Sequence, residues 1–232
     1  MLKIYSTMDH PVSISTENFI KAIYKFEYSE SLDAKPGSIA RELGITGAAA
    51  TDMARKLAVK KLIDYKKYQE LRLTPSGEKM ALGIVRKHRL WETFLYRVLG
   101  LSMHEIHREA ELLEHLTSDF LAEKISMFLG NPVTDPHGDP IPDEQGFVQT
   151  DEDCVQLSSA ESESEYEICR LSGSDKEFFD FCHSNNLTVG TRLRVVKQYV
   201  RNRMTETEVN NTRLLLSADL ASTMFVKKLK RY

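Results

Sequence analysis

The stretch Leu32-Asp33-Ala34-Lys35-Pro36-Gly37-Ser38-Ile39-Ala40-Arg41-Glu42-Leu43-Gly44-Ile45-Thr46, continued by Gly47-Ala48-Ala49-Ala50-Thr51-Asp52-Met53-Ala54-Arg55-Lys56-Leu57, decides how this chain is read. A short helix starts near Pro36, because proline is tolerated in a first helical turn, and stops at Gly44. After a three-residue turn, a second helix runs from Gly47 or Ala48 to about Lys60. That is helix-turn-helix spacing. Ala40, Leu43, Ile45, Met53 and Leu57 are the apolar positions expected to lock the two helices together.

Upstream, Ser15-Thr16-Glu17 opens an amphipathic helix through about Tyr28, with Phe19, Ile20, Ile23, Tyr24 and Phe26 as its apolar stripe. Downstream, residues 62–74 alternate as two short strands around a turn, the wing of a winged helix, and Lys66, Lys67 and Arg72 are placed for phosphates. A further helix begins at Thr74-Pro75-Ser76-Gly77-Glu78, carries the basic run Arg86-Lys87-His88-Arg89 and continues to about Leu99. Gly100 ends it. Ser102 and Glu105 form a capping-box pattern for the next helix, expected to extend towards Phe128.

These last two helices carry two acid-and-histidine clusters, His88-Arg89-Leu90-Trp91-Glu92 and His107-Arg108-Glu109-Ala110-Glu111-Leu112-Leu113-Glu114-His115. Residues three or four apart share a helical face, so His88 points with Glu92, and His107 points with Glu111 and the Glu114/His115 pair. Imidazoles and carboxylates on facing stripes form a ligand set for a divalent first-row metal. The plainer alternative is solvated charge on helices of a chain that is 28% charged. The surrounding apolar residues (Leu95, Val98, Leu99, Ile106, Leu112, Leu113 and Leu116) exceed what one thin helical pair needs, which points to a dimer interface or to an intramolecular core.

The 232 residues suffice for two or three small domains, and the net charge of −3 hides a segregation. Residues 32–90 are net +7, residues 100–167 net −15, and residues 168–232 net +6. A basic module followed by an acidic middle suggests a polyanion at one end and cations in the middle. Residues 143–167, acidic and Ser-rich, read as a mobile linker. Beyond them, a helix around Asp175–Cys182 precedes short β segments at 191–200, 204–209, 213–216 and 224–229, the pattern of a small SH3-like barrel. The expected fold is mainly α with small β parts. Residues 1–80 form a winged helix-turn-helix domain, 81–142 a helical dimerisation domain, 143–167 a linker and 168–232 a C-terminal SH3-like β-barrel. Cys154, Cys169 and Cys182 are odd in number and lack CxxC spacing, so they read as reduced thiols. With no apolar run of membrane length and no secretory core in residues 1–6, a cytoplasmic protein without membrane contact is expected.

Several of these motifs, in this order, resemble the metal-dependent repressor family that includes the diphtheria toxin repressor and the manganese transport regulators. The matching stretches are residues 15–24, the helix-turn-helix, 71–77, 86–92, 111–115 and Asp135-Pro136-His137-Gly138-Asp139-Pro140-Ile141-Pro142. The resemblance implies a homodimer binding double-stranded operator DNA under control of Mn²⁺ or Fe²⁺. It further implies that Glu111, Glu114 and His115 serve one metal site with His88 bridging or adjacent, and that Glu92 and His107 serve another. In one branch that other site also draws on the stretch at Asp135 and His137. Asp135 stands where that branch has a cysteine, and it either hardens the site or caps a turn. Manganese-type members place carboxylates where this chain has Asn18 and Lys21. Asn18 can offer an amide oxygen, whereas a protonated Lys21 cannot ligate, so either other groups (Asp9, His10, Glu17) close the site or a single ion is held. Glu111 is a carboxylate where the diphtheria-type protein has sulfur. Mn²⁺ lies lowest in the divalent affinity series and needs a hard, oxygen-rich shell, so Glu111 favours Mn²⁺, with Fe²⁺ next.

By the same resemblance the second helix of the motif enters the major groove. Thr46, Thr51 and Asp52 lie in or near its first turn, and Ala48 and Ala49 can touch thymine methyls. Arg55, Lys56, Lys60, Lys66, Lys67 and Arg72 are expected to supply backbone affinity. The implied function is repression of metal-uptake genes, not catalysis. The rival from another class, a metallohydrolase using the same His and Glu residues, lacks an HExxH motif and a spare general base.

Overall fold

The computed structural model describes residues 12–28, 33–66, 69–149, 151–173 and 175–229. By packing they divide into two compact units, residues 12–86 with 143–146, and residues 87–142 with 147–229.

In the first unit, helix α1 (Ile14–Glu27) is capped by Ser13, whose hydroxyl accepts from the Thr16 amide. Helices α2 (Pro36–Glu42) and α3 (Gly47–Val59) form the expected pair. Gly44 turns the chain between them at φ +63°, a left-handed conformation that costs glycine little. Thr46 then caps α3 by accepting from the Ala49 amide at 3.2 Å. Phe19, Ile20 and Ile23 of α1 share a core with Ile39, Ala40, Ala50, Ala54, Leu57, Ile63 and Leu71. Leu43 and Met53 pack at its margin. Ile45, expected to lock the helices together, is instead exposed. The wing is a minimal antiparallel pair, β1 (Ile63–Asp64) with β2 (Arg72–Leu73).

Helix α4 (Pro75–Leu99) follows, and the boundary between the units falls between Arg86 and Lys87. In the second unit, Ser102 and Glu105 cap helix α5 (Met103–Leu113) with the reciprocal box. The helix does not extend to Phe128. It tightens into a 3-10 turn at Glu114–Leu116, Thr117 adopts an extended backbone, and Ser118 caps a separate helix α6 (Asp119–Phe128). Thr117 fixes the break, because its hydroxyl donates to the Leu113 carbonyl and accepts from Trp91 Nε1, both at 2.7 Å.

The C-terminal part is a six-stranded antiparallel sheet in the order β3-β8-β4-β5-β6-β7. Its strands are β3 (Cys154–Gln156), β4 (Ser164–Leu171), β5 (Arg192–Tyr199), β6 (Met204–Val209), β7 (Thr212–Ser217) and β8 (Met224–Lys228). Helices α7 (Lys176–Ser184) and α8 (Ala218–Ser222) lie between strands in sequence. Four strands and α7 fall within a residue or two of the expected positions.

Two expectations fail here. The segment read as a linker holds β3 and the start of β4; Leu157, just after β3, and Tyr166 of β4 are buried in the sheet's core together with Ile168 and Leu171 further along β4. Its acids alternate outward and meet bases on neighbouring strands: Glu163 with Arg194, Glu167 with Arg192 at 3.8 Å, and Asp151 with Lys227 at 2.8 Å. Much of this segment's acidic charge is therefore paired with bases on the surface of the sheet. Cys154 and Cys169, read as free thiols, form a disulfide, because both strands flank β8 and a bulge between Ile168 and Arg170 re-aims Cys169. Cys182 alone remains a thiol, buried, and burial pushes it up to about 12.

Candidate metal centre

The two acid-and-histidine stripes meet inside the second unit. His88 lies between them and engages both sides. Its Nε2 is 3.0 Å from Glu92 Oε1 and 3.2 Å from His107 Nδ1. Its Nδ1 is 2.5 Å from Glu114 Oε2 and 4.0 Å from Glu111 Oε1. His107 Nδ1 lies 3.1 Å from Glu92 Oε1, and its Nε2 lies 3.9 Å from Glu111. His115 Nε2 is 3.3 Å from Glu114 Oε1. Two overlapping triads result, His88-Glu92-His107 and His88-Glu111-Glu114, with the donor atoms of each all within 4.8 Å of one another.

Local structure explains the convergence. Four-residue spacing on α4 stacks His88 over Glu92, and the same spacing on α5 stacks His107 over Glu111. The 3-10 turn after α5 winds tighter than an α-helix, and it carries Glu114 and His115 on towards His88. Glu92 and Glu114 are 2% and 1% exposed, among the most buried charged residues described. Buried charges need partners, and here the imidazoles supply them. Burial alone would raise the Glu92 carboxyl, yet His88, His107 and His137 together hold it well below its ordinary value.

His137 joins from a turn. Its Nε2 is 3.6 Å from Glu92 Oε1, its ring packs on Phe179 with centroids 5.1 Å apart, and its buried Nδ1 has no hydrogen-bond partner among the described residues. Burial lowers its pKa, but contact with Glu92 and the nearby Asp135 and Asp139 raises it overall. Asp135 is buried and takes the turn-capping role: its Oδ1 accepts from the amides of His137 at 2.8 Å and Asp139 at 2.9 Å. Burial, with Asp139 and Glu92 close by, pushes its carboxyl up to about 8. Arg89 holds this turn, donating to the Pro140 carbonyl and lying 3.8 Å from Asp135. Arg89 and Phe179 were not singled out in the sequence. Arg89 read as one more base of a basic run, and Phe179 as one more apolar residue of a short helix.

The donors are all nitrogen and oxygen, three of them carboxylates, gathered around buried groups, one of which is an orphaned imidazole nitrogen. This set suits a divalent first-row ion with hard character. Asn18 lies on α1 in the other unit, and its Oδ1 is buried without a hydrogen-bond partner among the described residues. Asp9 and His10 lie outside the described residues.

On α3, Thr46, Ala48, Ala49, Asp52, Arg55 and Lys56 are exposed and Thr51 is half-buried. Thr51 donates to the Gly47 carbonyl at 2.8 Å, and Asp52 pairs with Lys56 at 2.7 Å. Lys60 and Lys66 are exposed, and Arg72 pairs with Glu70 at 2.6 Å. Lys67 lies outside the described residues.

Three family descriptions match in order along the chain. They are the iron dependent repressor N-terminal DNA binding domain over residues 12–71, the iron dependent repressor metal binding and dimerisation domain over 74–143, and the FeoA domain over 155–228. An HTH-type transcriptional regulator MntR from Bacillus pumilus is 31% identical over 151 residues, 65% of this chain and 93% of its own. The diphtheria toxin repressor of Corynebacterium glutamicum is 30% identical over 111 residues, so the chain spans about half the length (48%) of that relative. Among solved structures, a manganese-dependent transcriptional repressor in complex with manganese superposes with a TM-score of 0.85. It is 32% identical, and the match covers 92% of this chain and 100% of that one. The chain belongs to this family of metal-dependent, DNA-binding repressors.

Proposed function

We propose that this protein is a metal-dependent transcriptional repressor that responds to Mn²⁺, binds operator DNA as a homodimer and controls metal-uptake genes. The observation that carries the reading is the convergence on His88 of two carboxylate-imidazole triads, with no sulfur among the donors. A bound divalent cation would offset the negative charge that Glu92, Glu111 and Glu114 bring side by side. His88, Glu111, Glu114 and His115 would hold one ion. Glu92, His107 and His137, with Asp135 once it loses its proton, would hold another. The first set offers two carboxylates, two imidazoles and no sulfur, which supports Mn²⁺ over metals that prefer softer ligands.

The exposed apolar side chains of the helical region support a dimer. Leu95 and Ile106 turn into the protomer's own core, but Val98, Leu99, Leu112, Leu116, Phe120 and Phe128 remain exposed, Leu116 at 81%. A patch of this kind marks an interaction surface. For DNA, the exposed first turn of α3 presents Thr46, Ala48 and Ala49 for the major groove. Arg55, Lys56, Lys60, Lys66 and Arg72 serve the phosphates. Because the leading edge lacks Arg and Gln, discrimination rests on apolar contacts and DNA shape.

The test is a set of DNA-binding curves on a cognate promoter with Mn²⁺, with Fe²⁺ under anaerobic conditions, and with chelator, for the full chain and for Glu114→Ala and His115→Ala. The wild type is expected to gain affinity with Mn²⁺, and the two variants to remain folded dimers that gain none. Equal affinity with and without chelator would refute the reading.

A further inference from the structure

Outside the metal cluster, the unexplained chemistry of this chain is its pair of joined cysteines. Cys154 and Cys169 are bonded across the sheet, with Cα atoms 6.6 Å apart. Both are half-buried and so reachable by small molecules, unlike Cys182, which is buried. A DNA-binding regulator works where thiols are kept reduced, and a disulfide in such a compartment is usually transient and redox-sensing.

What the pair touches gives it consequence. Cys169 is the extra residue of the β4 bulge, and the ligand-bearing turn rests on that bulge. Gly138 sits at φ +87° with its Cα so close to the Cys169 carbonyl that any Cβ would collide with it and crowd the Arg170 Cα. One residue on, the Leu171 amide donates to the His137 carbonyl at 2.8 Å. Arg170 lies 3.8 Å from Asp139. His137 in turn reaches Glu92 at 3.6 Å. The bulge carrying one sulfur is thus the seat of the turn carrying one candidate ligand.

We propose that Cys154 and Cys169 form a reversible dithiol–disulfide site, oxidised by hydroperoxides, whose state sets the pose of the His137 turn and hence the affinity of the Glu92-His107-His137 cluster. The proposal rests on the metal reading above for its link to affinity. In the oxidising direction one thiolate attacks a peroxide oxygen. The O–O bond breaks, the departing oxygen takes a proton and leaves as water, and the sulfur becomes a sulfenic acid. The second thiolate then attacks that sulfur, the S–S bond forms, the S–O bond breaks and a second water leaves. Two electrons pass from the sulfurs to hydrogen peroxide. A dithiol reductant returns two electrons and two protons by thiol–disulfide exchange. With the disulfide closed, β3 and the bulge are tied across β8 and the turn is held. With it open, the bulge is free to relax and His137 loses its seat.

The experiment uses the full chain, stripped with chelator, in two preparations: reduced with dithiothreitol, and treated with hydrogen peroxide that is then removed. Alkylation in denaturant should count three thiols in the first and one in the second. Hydrogen exchange at the Leu171 amide and across residues 135–139 should be slower in the oxidised form. Mn²⁺ isotherms should show the weaker of two binding steps tightened about five-fold on oxidation, the size of an ordinary coupling between neighbouring elements. Cys154→Ser should show no response to peroxide and behave as the reduced form. Three alkylatable thiols after peroxide would overturn the proposal. So would a disulfide that forms while the exchange rates of both preparations superpose. If neither preparation binds Mn²⁺, the metal reading fails, while the thiol count and exchange rates still decide whether the disulfide controls the turn.

Discussion

Replacing Glu92 by glutamine keeps the shape of the side chain and removes a charge that three imidazoles surround, at 3.0 Å (His88), 3.1 Å (His107) and 3.6 Å (His137). In metal-free protein this carboxylate is the buried anion that His137 faces, so its loss leaves His137 with burial as the dominant influence. Breaking a buried, hydrogen-bonded ion pair from one side costs about 3–5 kcal/mol. The pH window follows from the two shifts. Glu92 is held below its ordinary value, so its contribution is present above about pH 4.5 and is lost as pH falls through the depressed pKa. His137 is raised, so its contribution is fully present below about pH 6.5 and is lost as pH rises through the folded pKa. Both are in place near pH 6. At that pH, in chelator, Glu92→Gln is expected to lose about 3 kcal/mol, a fall in Tm of roughly 6–12 °C for a unit of this size. At pH 9, further towards the deprotonated side of His137, the loss should be smaller. Thermal and guanidinium unfolding at both pH values measure this, and NMR titration of His137 should show its pKa dropping in the variant. A loss below about 1 kcal/mol at pH 6, or an equal loss at pH 6 and 9, would refute the assignment of Glu92 as the anion that organises the cluster.

Three further outcomes are expected. Asp135, raised to about 8 by burial, must shed its proton to ligate, so Mn²⁺ affinity should climb between pH 6 and 8, by up to about tenfold per pH unit for each proton displaced; an identical climb in Asp135→Asn would leave this residue as a turn cap only. Gly138→Ala combines a left-handed backbone with a collision at the Cys169 carbonyl and should cost about 2 kcal/mol or more, read by chemical denaturation; a neutral result would mean the turn does not rest on the bulge. Operator affinity should fall with salt at a log–log slope steeper than about −4, since each phosphate neutralised contributes about −0.9, and a nearly flat titration would remove the DNA assignment.

The winged motif was legible because its punctuation is local: Pro36, Gly44 and Thr46 each act within their own turn. The ligand stripes were legible for the same reason, since four-residue spacing on one helix guarantees a shared face whatever the tertiary context. The pattern runs Asp119–Phe128 on from α5 because the break depends on Trp91, distant in sequence, which donates to Thr117. The strands at 154–156 and 164–171 were hidden by composition. Glu163, Glu165 and Glu167 make the segment look like solvated linker, and only Tyr166 among them, in alternation with Ile168 just beyond, signals a buried face. The disulfide was beyond reach, because its partners are set by strand order and a bulge and not by spacing. Arg89, Phe179 and the seat of His137 likewise belong to packing between elements far apart in sequence.

A neutral imidazole owns one lone pair and one N–H. His88 faces carboxylates through both nitrogens, Glu114 through Nδ1 and Glu92 through Nε2. It can therefore offer its electron pair to one neighbourhood only while giving its proton to the other. The two halves of the centre are rivals for a single donor, and choosing a tautomer decides which is served first. Loading should accordingly proceed as an ordered sequence governed by this one ring, with a stepwise isotherm whose constants belong to the pair of halves and to neither alone.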